Sequence, residues 1–141
     1  MPVIQPDVSE MTDFQASRPN TYEAVIKEVI GVRSKEPNKN TGKYTNGIQP
    51  TFEFKAPRLA DAEERLITRR KWLAIDGKGT FSFDQLLRCT GFKEVADSMK
   101  ASPGSVAFDT DDLVGKRVQV IVTTVTFEGK LQDDIDSFLP V

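Results

Sequence analysis

The sequence has no histidine and a single cysteine, Cys89. Without imidazole it lacks the commonest general base, the Ser/His and Cys/His nucleophile pairs, and imidazole ligands for a metal. A lone thiol forms no internal disulfide and cannot build a structural zinc site, which favours an intracellular protein. No apolar run approaches the roughly 20 residues of a membrane helix. The opening "MPVIQPDVSEM" has no basic segment followed by an apolar one, so no secretory signal is expected. Of the chemistries left, carboxylate and Mg²⁺ enzymes survive these absences.

What is present is a chain of 141 residues, enough for one domain with a core. Its net charge of −2 hides an uneven distribution. Residues 27–88 carry thirteen cations and eight acids, whereas 1–26 and 89–141 are both acidic. A basic middle between acidic ends points to an anionic partner for the middle, or to internal balance within one fold.

Residues 1–20 hold three prolines without apolar period and read as an irregular arm, leaving 21–141 as one domain. Tyr22–Arg33 is rich in Val and Ile and reads as a long strand, bent at Gly31. Residues 34–50, "SKEPNKNTGKYTNGIQP", read as a loop carrying Lys35, Lys39, Lys43 and Tyr44. With no core side chain but Tyr44, amide exchange should be fast throughout 34–47. "TFEFK" at 51–55 alternates strictly and predicts a strand with Phe52 and Phe54 on one face. Arg65–Ile75 is a further strand, "DGKG" a turn, and Thr80–Thr90 a short helix whose Phe83, Leu86 and Leu87 share a face. Phe92–Met99 continues as a second helical piece, and 102–112 is a loop. Lys116–Phe127 is the clearest strand, and Glu128-Gly129-Lys130 turns it into a last extended segment, Leu131–Leu139. Helical insertion among about five antiparallel strands predicts a mainly β, five-stranded OB-type barrel with a helix between the third and fourth strands. An open α+β sheet is the alternative.

The stretch "RLITRRKWLAI" (65–75) puts four cations and the one tryptophan among apolar residues. Cations fall on both faces, which predicts a register change, a bulge or an exposed functional face. If the period holds, Thr68, Arg70 and Trp72 share a face, setting a π-surface beside a guanidinium, a pairing that stacks bases and binds phosphates. The competing reading makes Trp72 a core residue and the cations its rim. Glu53-Phe54-Lys55 matches half of a metal-dependent nuclease site, but the upstream aspartate is missing between Phe14 and Phe52. Asp109, Asp111 and Asp112 lack EF-hand spacing and are better placed to cap the chain entering Leu113. "DGKGT" lacks the glycine spacing of a phosphate loop, and Cys89 beside Leu86 and Leu87 reads as a packed thiol. The acidic, apolar-ended "LQDDIDSFLPV" reads either as a closing strand or as a short tail (132–141) that docks in a basic groove, on a partner or on its own chain.

The order of elements over residues 20–140 resembles the small OB-fold single-stranded-DNA-binding proteins of bacteriophages. The resemblance rests on the "NKNTGKY" loop, the Phe52/Phe54 strand, the helix "FDQLLRCTGF", the step "DDLVGKRVQVIV" and the closing "DDIDSFLP". It implies a non-enzymatic module that binds single-stranded DNA with little sequence preference during phage replication or recombination. Such a module would act in the host cytoplasm, without cofactor, metal or membrane. Arg65, Arg69, Arg70 and Lys71 would neutralise phosphates, and Lys35, Lys39 and Lys43 would close over the strand. Trp72, with Tyr44, would stack bases. The acidic C-terminus would contact replication or recombination proteins. The rival expectation is a protein-interaction or structural module of a phage assembly with no nucleic-acid role.

Overall fold

The computed structural model describes residues 16–141 apart from 38, 41, 60, 77 and 78. The arm read from the sequence therefore lies outside the described residues from 1 to 15. The elements are β1 (Asn20–Gly31), β2 (Gly47–Pro57), β3 (Glu64–Arg70), β4 (Leu73–Ala74), α1 (Phe81–Cys89), α2 (Lys93–Ala101), a 3₁₀ turn (Thr110–Leu113), β5 (Arg117–Phe127) and β6 (Lys130–Leu139). The chain is mainly β. Its strands form one antiparallel six-stranded sheet in the order β3-β2-β1-β5-β6, with the short β4 also paired to β2.

Of the two architectures expected from the sequence, the strands form the open sheet and are not closed into a five-stranded barrel. Among the described residues no backbone ladder joins β3 to β6. The physical cause lies in β3, which is only seven residues long. The expected single strand 65–75 breaks after Arg70, and Lys71 and Trp72 belong to neither β3 nor β4. That break accommodates the run of cations on both faces. The chain nonetheless keeps following β2, since the Lys71 N–H donates to the Pro50 carbonyl at 3.2 Å. The helices consequently lie between the fourth and fifth strands.

β1 organises the sheet. Its first half pairs with β5 (Asn20↔Val122 to Val25↔Arg117) and its second half with β2 (Ala24↔Phe54 to Gly31↔Ile48). The irregularity needed to turn from one partner to the other falls at Lys27, between Ile26 and Glu28, rather than at Gly31. The inner face carries Ala24, Ile26, Phe52, Phe54, Val118, Val120, Ile135 and Phe138, all buried. Against it α1 lays Phe83, Leu86 and Leu87, and Leu113 fills in from the 3₁₀ turn. Gln85 fixes the helix to the sheet, its side-chain oxygen accepting from the Phe138 N–H at 2.9 Å. Thr80 stands at the N-cap of α1 without a side-chain capping bond. Asp109 does cap its turn, accepting from the Asp111 N–H at 2.9 Å. Of the segment read either as a docking tail (132–141) or as a closing strand, the residues up to Leu139 belong to strand β6.

Candidate nucleic-acid interface

The β1–β2 connection extends the hairpin beyond its strands. The Val32 N–H donates to the Gly47 carbonyl at 2.9 Å and the Ser34 N–H to the Thr45 carbonyl at 2.8 Å. The Ser34 hydroxyl donates to the Glu36 carbonyl and accepts from the Thr45 N–H. These bonds pair the Ser34 and Thr45 amides inside the stretch expected to exchange fast, and slower exchange at those two amides is the expected outcome. Nor is Tyr44 a core residue: it is 43% exposed. Arg33 lies over its ring, 4.1 Å from guanidinium carbon to ring centroid. That contact leaves an aromatic face and a cation together on the surface. Lys35, Lys39 and Lys43 of the same loop are also exposed.

Trp72 is neither core nor a free platform. It is half-buried, and its indole N–H donates to the Val32 carbonyl at 2.7 Å. Its ring crosses the backbone of Gly47 so closely that a Cβ there would lie 2.3 Å from the indole. Glycine at 47 is therefore a packing requirement of the tryptophan. The strand break after Arg70 ends the alternation that would have set Trp72 beside Thr68 and Arg70. The indole instead ties the end of the cationic stretch to the root of the loop.

The cations of the stretch divide by alternation. Arg65 and Arg69 are half-buried on either side of buried Ile67, whereas Leu66, Thr68 and Arg70 are exposed on the outer face. There Arg70 is opposite Thr51 of β2, which is opposite Glu28 of β1. Arg69 contacts Asp133 at 3.4 Å, and Lys71 contacts Asp134 at 3.3 Å. The Asp133 side chain is wholly buried and also accepts from the Ser17 N–H at 2.7 Å. Two of the four cations assigned to phosphates are thus matched by carboxylates of β6. Arg70 has no carboxylate partner among the described residues.

Sequence reasoning missed Arg33, Asp133 and Asp134. Arg33 was countable as a further cation of the loop it borders. The two aspartates were visible as an acidic segment suited to a basic groove on its own chain, but their partners lie more than sixty positions away. The other candidates have structural roles. Glu53 faces Lys27 at 3.9 Å, and among the described residues no three carboxylate or thiol side chains converge as a metal site. Cys89 is half-buried against the core, and burial raises its thiol pKa. No helix among the described residues is long and apolar enough to cross a membrane. No protein-family model matches the chain, and no curated protein matches it.

Proposed function

We propose that this chain is an OB-type module that binds single-stranded DNA with little sequence preference, acting in phage replication or recombination. The observation that carries the reading is the bond from the Trp72 indole to the Val32 carbonyl. It joins two sets of cations distant in sequence, those of the 32–46 loop and those at the end of β3, at one end of the sheet. The loop supplies Arg33 against the exposed ring of Tyr44 together with the exposed Lys35, Lys39 and Lys43, and the end of β3 supplies Arg70. A cationic track with an aromatic face is what sequence-tolerant binding of a single strand requires.

The architecture is compatible with this. OB folds are partly open five-stranded barrels that bind oligonucleotides on strands two and three and the loops flanking them. Here Arg69 of β3 meets Asp133 of β6, and Lys71 just past β3 meets Asp134, so the edges approach without a ladder. The reading is of a binder rather than a catalyst, because a chain without histidine and with one half-buried thiol has few groups for proton transfer or attack.

The test is a titration with single- and double-stranded DNA at two salt concentrations. Retention of the single strand should weaken with salt, by about 0.7 in log–log slope for each phosphate neutralised. Absence of salt-sensitive binding would leave the protein-interaction reading in its place.

A further inference from the structure

Between the facing edges of β3 and β6 lies a cleft of about 500 Å³, bounded by Arg70, Val125, Leu131, Gln132, Asp133 and Asp134 among others. That is within the range of pockets that hold small organic groups. Its charge is unusual for a surface meant only for phosphates. Arg69 and Lys71 are matched by Asp133 and Asp134, so the interior is polar but locally balanced. Both oxygens of Asp133 are engaged, one by the Ser17 N–H and one by Arg69. Asp134 is held through Oδ1 by Lys71, and its Oδ2 has no partner among the described residues. The carboxylate is therefore oriented in advance and, among the described residues, retains an open acceptor. Val125 and Leu131 supply apolar surface, and Arg70 supplies the unmatched cation.

An anion seated deep in this cleft would face two carboxylates. A neutral, flat, polar group with a phosphate attached would not, because the phosphate could stay at Arg70. We propose that the cleft receives one base of the bound strand, and that the base it selects is guanine. This inference rests on the single-stranded-DNA reading and adds a preference at one position of an otherwise tolerant track.

Base chemistry makes the choice. An ionised carboxylate only accepts hydrogen bonds. Guanine presents two adjacent donors, N1–H and the 2-amino group. Thymine offers one ring N–H, and adenine and cytosine each offer one exocyclic amine. Asp134 accepts one guanine donor at Oδ2 and the other at the second lone pair of Oδ1, beside Lys71, the Gln132 amide donates to O6, and Arg70 takes the phosphate.

The experiment measures affinity for oligothymidine and for the same oligomer with one central guanosine, inosine or adenosine. Inosine lacks the 2-amino group and keeps O6. The guanosine oligomer should bind roughly fivefold or more tightly than the others. Asp134→Asn and Gln132→Ala should bring that ratio to about one, with thermal melts confirming that both variants fold. Equal, salt-sensitive binding of all four oligomers overturns the guanine assignment and leaves the DNA-binding reading standing. Equal binding of guanosine and inosine, both above thymidine, shows that the 2-amino group is not read and overturns the two-donor pairing with Asp134 on which the choice of guanine rests. If no oligomer binds, the DNA-binding reading itself fails and this inference with it.

Discussion

Arg69 and Arg70 are adjacent and chemically identical, yet their replacement by alanine should have opposite consequences. Arg69 reaches a wholly buried carboxylate, and removing it leaves Asp133, among the described residues, with the Ser17 N–H alone. Breaking one side of a fully buried ion pair costs about 3–5 kcal/mol. Arg69 is itself 39% exposed and its contact is long at 3.4 Å, so water can replace part of the interaction. An Arg69→Ala loss of about 1–3 kcal/mol follows. Arg70 is exposed and, among the described residues, has no carboxylate partner. Its removal should change stability by no more than about 0.5 kcal/mol. DNA binding should reverse the order. Arg70→Ala should lower the salt slope by about 0.7, whereas Arg69→Ala should leave the slope nearly unchanged in protein that remains folded. Urea denaturation followed by Trp72 fluorescence measures the first effect, and anisotropy of a labelled oligothymidine across a salt series measures the second. Arg69→Ala with wild-type stability would refute the buried lock. Arg70→Ala with an unaltered slope would refute the assignment of phosphate contacts.

Gly47→Ala would drive a Cβ into the indole and should cost about 1–3 kcal/mol, with a red shift in the emission of the one tryptophan as it is displaced. Glu128 and Gly129 both have positive φ, 52° and 77°, in the two-residue turn between Phe127 and Lys130. Such a turn favours Asn-Gly, so Glu128→Asn should raise the urea midpoint, by up to about 1 kcal/mol of stability. Burial raises the pKa of Cys89, so its thiolate fraction in the folded chain is below that of a free cysteine. Aromatic disulfide reagents should therefore react slowly until the protein is unfolded. The corresponding stability is present below the unfolded thiol's pKa, about 8.5, and is lost as pH rises through the folded one; a pH series of melts checks that direction.

Local patterns carried much of the fold. The alternation of "TFEFK" gave a strand with Phe52 and Phe54 both buried, and the spacing of Phe83, Leu86 and Leu87 gave the helix face that covers the sheet. The loop read at 34–50 was legible except at its end, where Gly47 to Pro50 already belong to β2, and so was the turn at Glu128-Gly129, since turn chemistry acts over a few residues. The break after Arg70 was legible only as an anomaly, a strand whose cations would not sort to one face. What replaces the alternation, an indole bonded to Val32 forty positions earlier, has no local signature. The candidate site divides in the same way. Cations were countable, but which of them are already neutralised depends on pairings across the sheet.

Those pairings also bear on why the sheet can remain open. A free strand edge offers unpaired N–H and C=O groups to any other chain, and charged side chains are one means of protecting it. β3 with the residue that follows it and β6 carry charges of opposite sign, Arg69 and Lys71 against Asp133 and Asp134. Attraction brings the chain's own two edges together, while an approaching foreign strand would have to displace a buried carboxylate from Arg69 and Ser17. The same matched charges leave a cleft instead of a ladder, and leave Arg70 as a cation beside it. A closed ladder would remove that cleft. Lengthening β3 across Lys71 and Trp72 would also take the indole from Val32 and detach the loop from the cationic end of the strand. The break that spoils the barrel is thus the feature that assembles the proposed interface.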